Sequence, residues 1–189
     1  AGEFLIEMES WEPAQVTISP AGLMAQSVAF SELGYLFLPT APEVELFDTV
    51  DEQEVFEELF GQPYSSALGY LFVDFVASDD LGEGEGNAVD ANLSAAVGPL
   101  ALLDDDQTQP GNEVPVGSGE PTIAYGGVAV GIVELTYIPA AGLECHGPAT
   151  VQIEADLATH AIVACVAAGS YNDGTGDDDD SAADDDDSA

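Results

Sequence analysis

Residues 66–76 read SALGYLFVDFV, and this stretch decides the fold. It is the most apolar strand candidate in the chain, and it is rich in the aromatic and β-branched residues that strands favour. A nearly continuous apolar run is typical of a strand whose two faces are both covered. We therefore expect residues 66–76 to lie in the middle of a sheet.

Shorter segments on both sides of this stretch alternate between apolar and polar residues, as half-buried strands do. Val16 and Ile18 alternate with polar neighbours before Pro20, and residues 150–157 alternate in the same way. Proline and glycine breaks recur roughly every ten residues, a spacing typical of sandwiches and barrels. The sequence predicts a mainly β fold, an antiparallel β-sandwich of jelly-roll type. Further strands are predicted at residues 4–9, 27–30, 35–38, 44–47, 93–103, 123–125, 128–138 and 161–167.

One segment has helical periodicity. Thr49 and Glu52 have the spacing of a capping box, in which each side chain bonds an otherwise unpaired backbone amide. Gly61 is placed to end the helix. A short helix is therefore predicted at residues 50–60, packed against a sheet. The apolar side chains predicted to share one face of this helix are Val55, Phe56, Leu59 and Phe60.

Polar stretches separate the predicted elements. Residues 79–92 and residues 104–119 are predicted to be acidic or polar loops, and Thr159 and His160 are predicted to turn a hairpin between the last two strands.

The composition changes at residue 171 and divides the chain into two parts. Because 46% of the residues are hydrophobic, the chain is too apolar for a disordered acidic protein. Residues 1–170 are predicted to form a single β-rich domain, and residues 171–189 an acidic low-complexity tail. Residues 177–189 read DDDDSAADDDDSA, which resembles the Asp/Ser/Ala-rich segments of secreted and surface proteins of Gram-negative bacteria. The resemblance implies an extracellular or cell-surface location.

The charge of the chain has one sign. There are 37 Asp and Glu residues, two His and no Lys or Arg, which gives a formal net charge of −37 at pH 7. Nucleic acid is excluded as a partner, because proteins neutralise phosphates with Lys and Arg. Membrane insertion is not expected, since no stretch is long and apolar enough to span a bilayer. The carboxylates repel one another, so ions from the solvent must screen them, and Ca²⁺ is the expected cofactor.

Two acidic clusters are candidates for binding Ca²⁺, because flexible glycines lie among closely spaced oxygen donors. Their spacing departs from the EF-hand pattern. The alternative is that both clusters are solvated and bind no specific ion. The candidate ligands are Asp79, Asp80, Glu83, Glu85 and Asp90 in the first cluster, and Asp173, Asp177, Asp178 and Asp179 in the second.

The two cysteines, Cys145 and Cys165, are expected to form a disulfide, because their even number and the secreted type of composition agree. Such a bond contributes roughly 3 kcal/mol by the loop-entropy estimate. The alternative is a pair of reduced core thiols. His146 follows Cys145, but adjacent strand residues point to opposite faces and a disulfide removes the thiol. No catalytic residue is therefore assigned, and we do not expect an enzyme.

An apolar segment, residues 2–11, begins almost at Ala1, where the chain reads as a mature secreted product. This segment is suited to adding as a strand to the sheet of another copy. Such head-to-tail contacts do not close, so they build filaments. The alternative is an ordinary edge strand within its own fold. The residues proposed to form this assembly strand are Phe4, Leu5, Ile6, Met8 and Trp11.

These features favour a secreted structural subunit whose partner is a second copy of itself. It would assemble into an extracellular filament, sheath or surface layer held by divalent cations. The first alternative is a monomeric cell-surface or matrix module that binds Ca²⁺ or a mineral surface. The second is a secreted glycan hydrolase that uses a pair of carboxyl groups.

Overall fold

The computed structural model describes residues 14–19, 25–30, 49–76, 86–91, 99–103, 107–114 and 121–169. These residues form eleven strands and one short helix, so the predicted mainly β fold with a single short helix is confirmed. The elements are β1 (Ala14–Ile18), β2 (Gln26–Phe30), α1 (Thr49–Phe60), β3 (Gly69–Val76), β4 (Gly86–Ala91), β5 (Leu100–Leu103), β6 (Gln107–Pro110), β7 (Thr122–Val128), β8 (Gly131–Pro139), β9 (Leu143–His146), β10 (Thr150–Ile153) and β11 (Ala158–Ala167).

The larger of the two sheets has the strand order β1-β2-β11-β3-β7-β5-β6, and β9 also pairs with β11. β3 contains most of the apolar stretch that decides the fold, and it lies near the middle of this sheet, as predicted. β11 runs parallel to both β2 and β3, so the sheet is mixed. This differs from the predicted antiparallel arrangement. Apolar strands covered on both faces suit parallel pairing, and hydrophobic pattern alone does not specify strand direction.

The smaller sheet has the order β10-β8-β4 and is antiparallel. Val133 of β8 and Val151 of β10 belong to the same buried cluster as Val73 of β3 and Val163 of β11. The two sheets therefore bury their apolar side chains in one common core. The finer sandwich or jelly-roll arrangement stays a prediction.

The helix α1 covers part of the opposite face of the large sheet. Phe56 and Phe60, one helical turn apart, pack on Tyr70 and Phe72 of β3. The ring centroids of Phe56 and Tyr70 are 4.5 Å apart, and those of Phe56 and Phe72 are 5.7 Å apart. The predicted place of Val55 on this face is wrong, because its side chain is 54% exposed.

Two glycines permit this helix packing. Gly61 ends α1 with a φ of +63°, a conformation that glycine adopts without a Cβ clash, as predicted. Gly126 of β7 lies under the ring of Phe60, where a Cβ atom would come within 2.6 Å of the ring. The absence of a side chain at Gly126 therefore lets α1 approach the sheet closely.

Several predicted loops and turns differ from the structure. Thr159 and His160 lie inside β11 and turn no hairpin. The chain turns earlier, at Asp156, which has a φ of 60° and whose N–H bonds the carbonyl of Leu68. β10 and β11 belong to different sheets, so the predicted hairpin between them is wrong.

Three strands lie where no strand was predicted. β4 and β6 fall within the two predicted polar loops, and β9 pairs with the end of β11. Pairing with a neighbouring strand satisfies their backbone groups, although their residues carry little apolar signal. The predicted strands at residues 4–9, 35–38 and 44–47 lie outside the described residues, as does the tail. The division at residue 170 stays a prediction.

Candidate functional site

β1 lies at one edge of the large sheet, directly after the residues proposed as an assembly strand. Among the strands that the structure describes it pairs only with β2, in antiparallel register from Ala14 opposite Phe30 to Ile18 opposite Gln26. An edge strand presents a row of unpaired backbone N–H and C=O groups, which is a template for another strand. The opposite edge of the same sheet is β6.

A side chain of β1 attaches this edge strand to the small sheet. The Nε2 of Gln15 donates to the backbone carbonyl of Gln152 at 2.7 Å, and its Oε1 accepts from the backbone N–H of Gln152 at 2.8 Å. The amide of Gln15 therefore bonds the edge of β10 as a neighbouring strand would. Its Nε2 also lies 2.7 Å from the Oγ of Ser27 on β2. These bonds hold β1 against both sheets, so the segment before it starts from a fixed strand.

A polar cluster lies on the helix-covered face of the large sheet and joins its three central strands. We call Asp74 of β3, Thr122 of β7 and His160 of β11 the Asp74 cluster. The hydroxyl of Thr122 donates to Oδ1 of Asp74 at 2.7 Å, and Nδ1 of His160 lies 2.8 Å from Oδ2. The imidazole stacks on the ring of Phe72, with centroids 5.1 Å apart.

The Asp74 cluster is not among the sites predicted from the sequence. Asp74 is the only acidic residue in the apolar stretch 66–76, which is the signal that could have found it. A carboxylate in an otherwise apolar strand requires a hydrogen-bonding or charged partner, because its desolvation is costly. Its partners are 48 and 86 residues further along the chain, so no local pattern points to them.

The predicted disulfide between Cys145 and Cys165 is confirmed. It joins residues directly opposite each other on β9 and β11. The sulfur of Cys145 is therefore not a thiol, which leaves it without the nucleophilic role that its neighbour His146 suggests. The Nε2 of His146 lies 3.7 Å from the Oε1 of Glu144, on the same strand.

The described residues do not test the predicted Ca²⁺ ligands. Asp90 lies in β4, where its backbone is described and its side chain is not. The other eight ligands lie outside the described residues, as do Phe4, Leu5, Ile6, Met8 and Trp11. Within the described part of the chain, no three His, Cys, Asp or Glu side chains come together to hold a metal ion.

Two tyrosines, one buried and one partly buried, have perturbed hydroxyl groups. Burial raises the pKa of Tyr137, whose hydroxyl donates to the carbonyl of Pro148 at 2.6 Å. Burial also raises the pKa of Tyr70, and the hydrogen bond from the backbone N–H of Ser65 partly opposes this effect. Both hydroxyl groups are therefore engaged in hydrogen bonds to the backbone.

The outward face of β8 exposes two apolar side chains. Ile132 is 70% exposed and Ile138 is 51% exposed. Six residues separate them, so they lie about 20 Å apart along the strand. Glu134 and Thr136, both exposed, lie between them. Single exposed apolar residues are common on protein surfaces, and these two do not form a continuous patch.

Comparison of the chain with protein-family models, with curated proteins and with solved structures gives no match. In the ranges that the structure describes, no helix has the length and apolar character needed to cross a bilayer.

Proposed function

We propose that the protein is a secreted structural subunit that assembles with copies of itself into an extracellular filament, sheath or surface layer. The observation that carries the proposal is the place of β1, at the edge of the large sheet and directly after the apolar residues 2–11. A segment that precedes an edge strand in the chain is well placed to pair with the edge of another copy. The backbone hydrogen bonds of such a contact need no basic side chain.

The composition supports the same mode of assembly. Proteins commonly protect exposed sheet edges with Lys side chains, and this chain contains none. The two hydrogen bonds between the amide of Gln15 and the backbone of Gln152, which we call the clasp of β1, hold β1 within its own molecule. In this proposal, residues 2–11 pair with a neighbouring copy. We call residues 2–11 the donor segment. Because this segment and the sheet edge that accepts it on another copy are different surfaces, each copy adds to the next without closing the assembly.

Divalent cations have a defined part in this proposal. Each copy carries a formal charge of −37, so association brings strongly repelling polyanions together. Calcium ions bound by carboxylates on neighbouring copies would offset that repulsion. The disulfide between Cys145 and Cys165 supports an oxidising, extracellular environment, where such bonds persist.

Negative-stain electron microscopy and light scattering of the purified chain test the proposal, at low salt with either Ca²⁺ or a chelator. We expect filaments or sheets with Ca²⁺ and smaller particles with chelator. The triple variant F4S/I6S/M8S removes apolar side chains from one face of the donor segment and should remain monomeric in Ca²⁺. The matched variant E7Q/E9Q changes the other face of the same segment and should still assemble.

Uniform monomers of the unmodified chain under both conditions would overturn the proposal. Monomers that take up Ca²⁺, and lose this uptake when residues 177–189 are deleted, would instead support the Ca²⁺-binding or mineral-binding module. Assembly that is unchanged in F4S/I6S/M8S would show that the subunits associate through another surface.

A further inference from the structure

The two histidines are the only side chains in the protein that can carry a positive charge at ordinary pH. Both lie beside a carboxylate. The Nδ1 of His160 is 2.8 Å from Asp74, and the Nε2 of His146 is 3.7 Å from Glu144. Glu144 lies on the same strand as His146, two residues before it. His160 is different, because it meets its partner inside the central part of the large sheet.

The surroundings of His160 restrict the pair. About a quarter of each side chain is exposed, 26% for His160 and 22% for Asp74. Thr122 holds the other carboxylate oxygen of Asp74, and the ring of Phe72 lies against the imidazole. A pair held on both sides in this way loses little side-chain entropy when it forms, and solvent screens it less than a surface pair.

In the part of the chain that the structure describes, groups from four elements lie around the pair. β3 supplies Asp74 itself, and β7 supplies Thr122, which is uncharged. On β2, Val28 is the register partner of His160. Helix α1 faces this side of the sheet with Phe56 and Phe60, while Glu54, Glu57 and Glu58 are exposed on its outer side. Of these groups, Asp74 is the charged one nearest the imidazole.

We propose that Asp74 and His160 form a pH-dependent ion pair. Protonation of His160 in mild acid completes this pair and stabilises the centre of the large sheet. When the imidazole takes up a proton, a hydrogen bond between a carboxylate and a neutral ring becomes an ion pair across β3 and β11. Imidazoles take up protons ordinarily near pH 6.5. The ion pair exists in the folded chain only, so its contribution to stability is present below this range and is lost as the pH rises through it.

Urea unfolding of the full-length protein and of H160Q, at constant low ionic strength with chelator, tests the proposal. Urea leaves the ionic strength unchanged, so electrostatic contributions stay visible. The ratio of the folding equilibrium constants, wild type over H160Q, should rise about tenfold between pH 7.5 and pH 5.5, which corresponds to about 1.4 kcal/mol. General relief of carboxylate repulsion in acid affects both proteins and cancels in the ratio.

The variant D74N is the matched control, because asparagine keeps the shape of the aspartate and one of its two acceptor oxygens without its charge. The ratio of D74N to the double variant D74N/H160Q should not change with pH. A wild-type ratio that stays within twofold across the range, or falls in acid, would overturn the proposal.

A second measurement does not depend on the stability of H160Q. Proton NMR follows the imidazole of His160 through its titration in the wild type and in D74N. The midpoint should lie at lower pH in D74N, because the neighbouring carboxylate favours the protonated ring. Equal midpoints in the two proteins would also overturn the proposal.

Discussion

Replacing Gly126 by alanine should disturb the contact between α1 and the large sheet through one ring. The added Cβ would lie 2.6, 2.7 and 2.9 Å from Cγ, Cδ1 and Cδ2 of Phe60. Ordinary van der Waals contact begins near 3.4 Å, so the ring must retreat by roughly 0.8 Å. Phe60 is only 6% exposed and packs on Tyr70, which leaves it little room. Overpacking of this kind costs about 1–3 kcal/mol of unfolding free energy.

A double-mutant cycle measured by urea unfolding isolates this contact. F60A alone removes a buried aromatic ring and should cost about 3–5 kcal/mol. In the F60A background the added methyl group of G126A meets no ring, so the double variant should be more stable than the sum of the single effects by at least about 1 kcal/mol. The coupling energy is the quantity that reports the clash.

Gly147 supplies the control for this cycle. A Cβ at Gly147 would meet Tyr137 and Val163 and would not meet Phe60. G147A should therefore destabilise the protein by a similar amount, but its effect should add to that of F60A within about 0.5 kcal/mol. Additive effects of G126A and F60A, or a G126A variant as stable as the wild type, would refute the packing of α1 on Gly126.

Three further predictions concern the disulfide, an alkaline transition and the clasp of β1. The double variant C145A/C165A should lose roughly 3 kcal/mol of unfolding free energy in urea. The wild type under reducing conditions should lose a similar amount. An unchanged unfolding free energy would contradict the expected stabilisation by the disulfide. Because burial raises the pKa of Tyr137, the unfolded chain releases this phenolic proton before the folded chain does, and stability should fall above about pH 10, by at most about 1.4 kcal/mol per pH unit from this group. Y137F should lose about 1–3 kcal/mol at pH 7, since the carbonyl of Pro148 loses its donor, and this deficit should shrink between pH 9 and pH 11; a constant deficit contradicts the assignment. Q15A should cost about 1–3 kcal/mol and speed amide exchange at Gln152, and Q15E should cost more at neutral pH, because a carboxylate oxygen then faces the carbonyl of Gln152; equal effects of the two variants would show that the clasp does not form.

Local pattern was enough for most elements with a strong apolar signal. The period-2 alternation around Val16 and Val151 and the apolar stretch 66–76 correspond to β1, β10 and β3. The helix predicted at residues 50–60 is observed as Thr49–Phe60, and Gly61 ends it. These features were predictable because side-chain periodicity and glycine conformation act over a few neighbouring residues.

The weak strands β4, β6 and β9 were not predictable in this way. Their residues include glycine, proline and polar side chains, which strands disfavour. They form strands because a neighbouring strand satisfies their backbone groups, and that neighbour is supplied by the tertiary fold. The same reason explains the error at Thr159 and His160. Their polar side chains suggested a turn, whereas β2 and β3 on either side extend β11 through them.

The disulfide could be predicted from the sequence, whereas the partners in the Asp74 cluster could not. With only two cysteines in the chain, composition already determined which sulfur atoms would join. Asp74 stood out among the 37 acidic residues only as the one carboxylate in the apolar stretch 66–76, and its partners on β7 and β11 could not be found from the sequence.

The sequence by itself therefore determined the class of fold, the short helix, the crosslink and the unbalanced negative charge, since each follows from composition or from neighbouring residues. Only the tertiary structure decided the parallel direction of β11, the place of β1 at a sheet edge and the meeting of His160 with Asp74. These three features depend on contacts between distant segments, and the free energy of such contacts is settled by the packing of the whole domain.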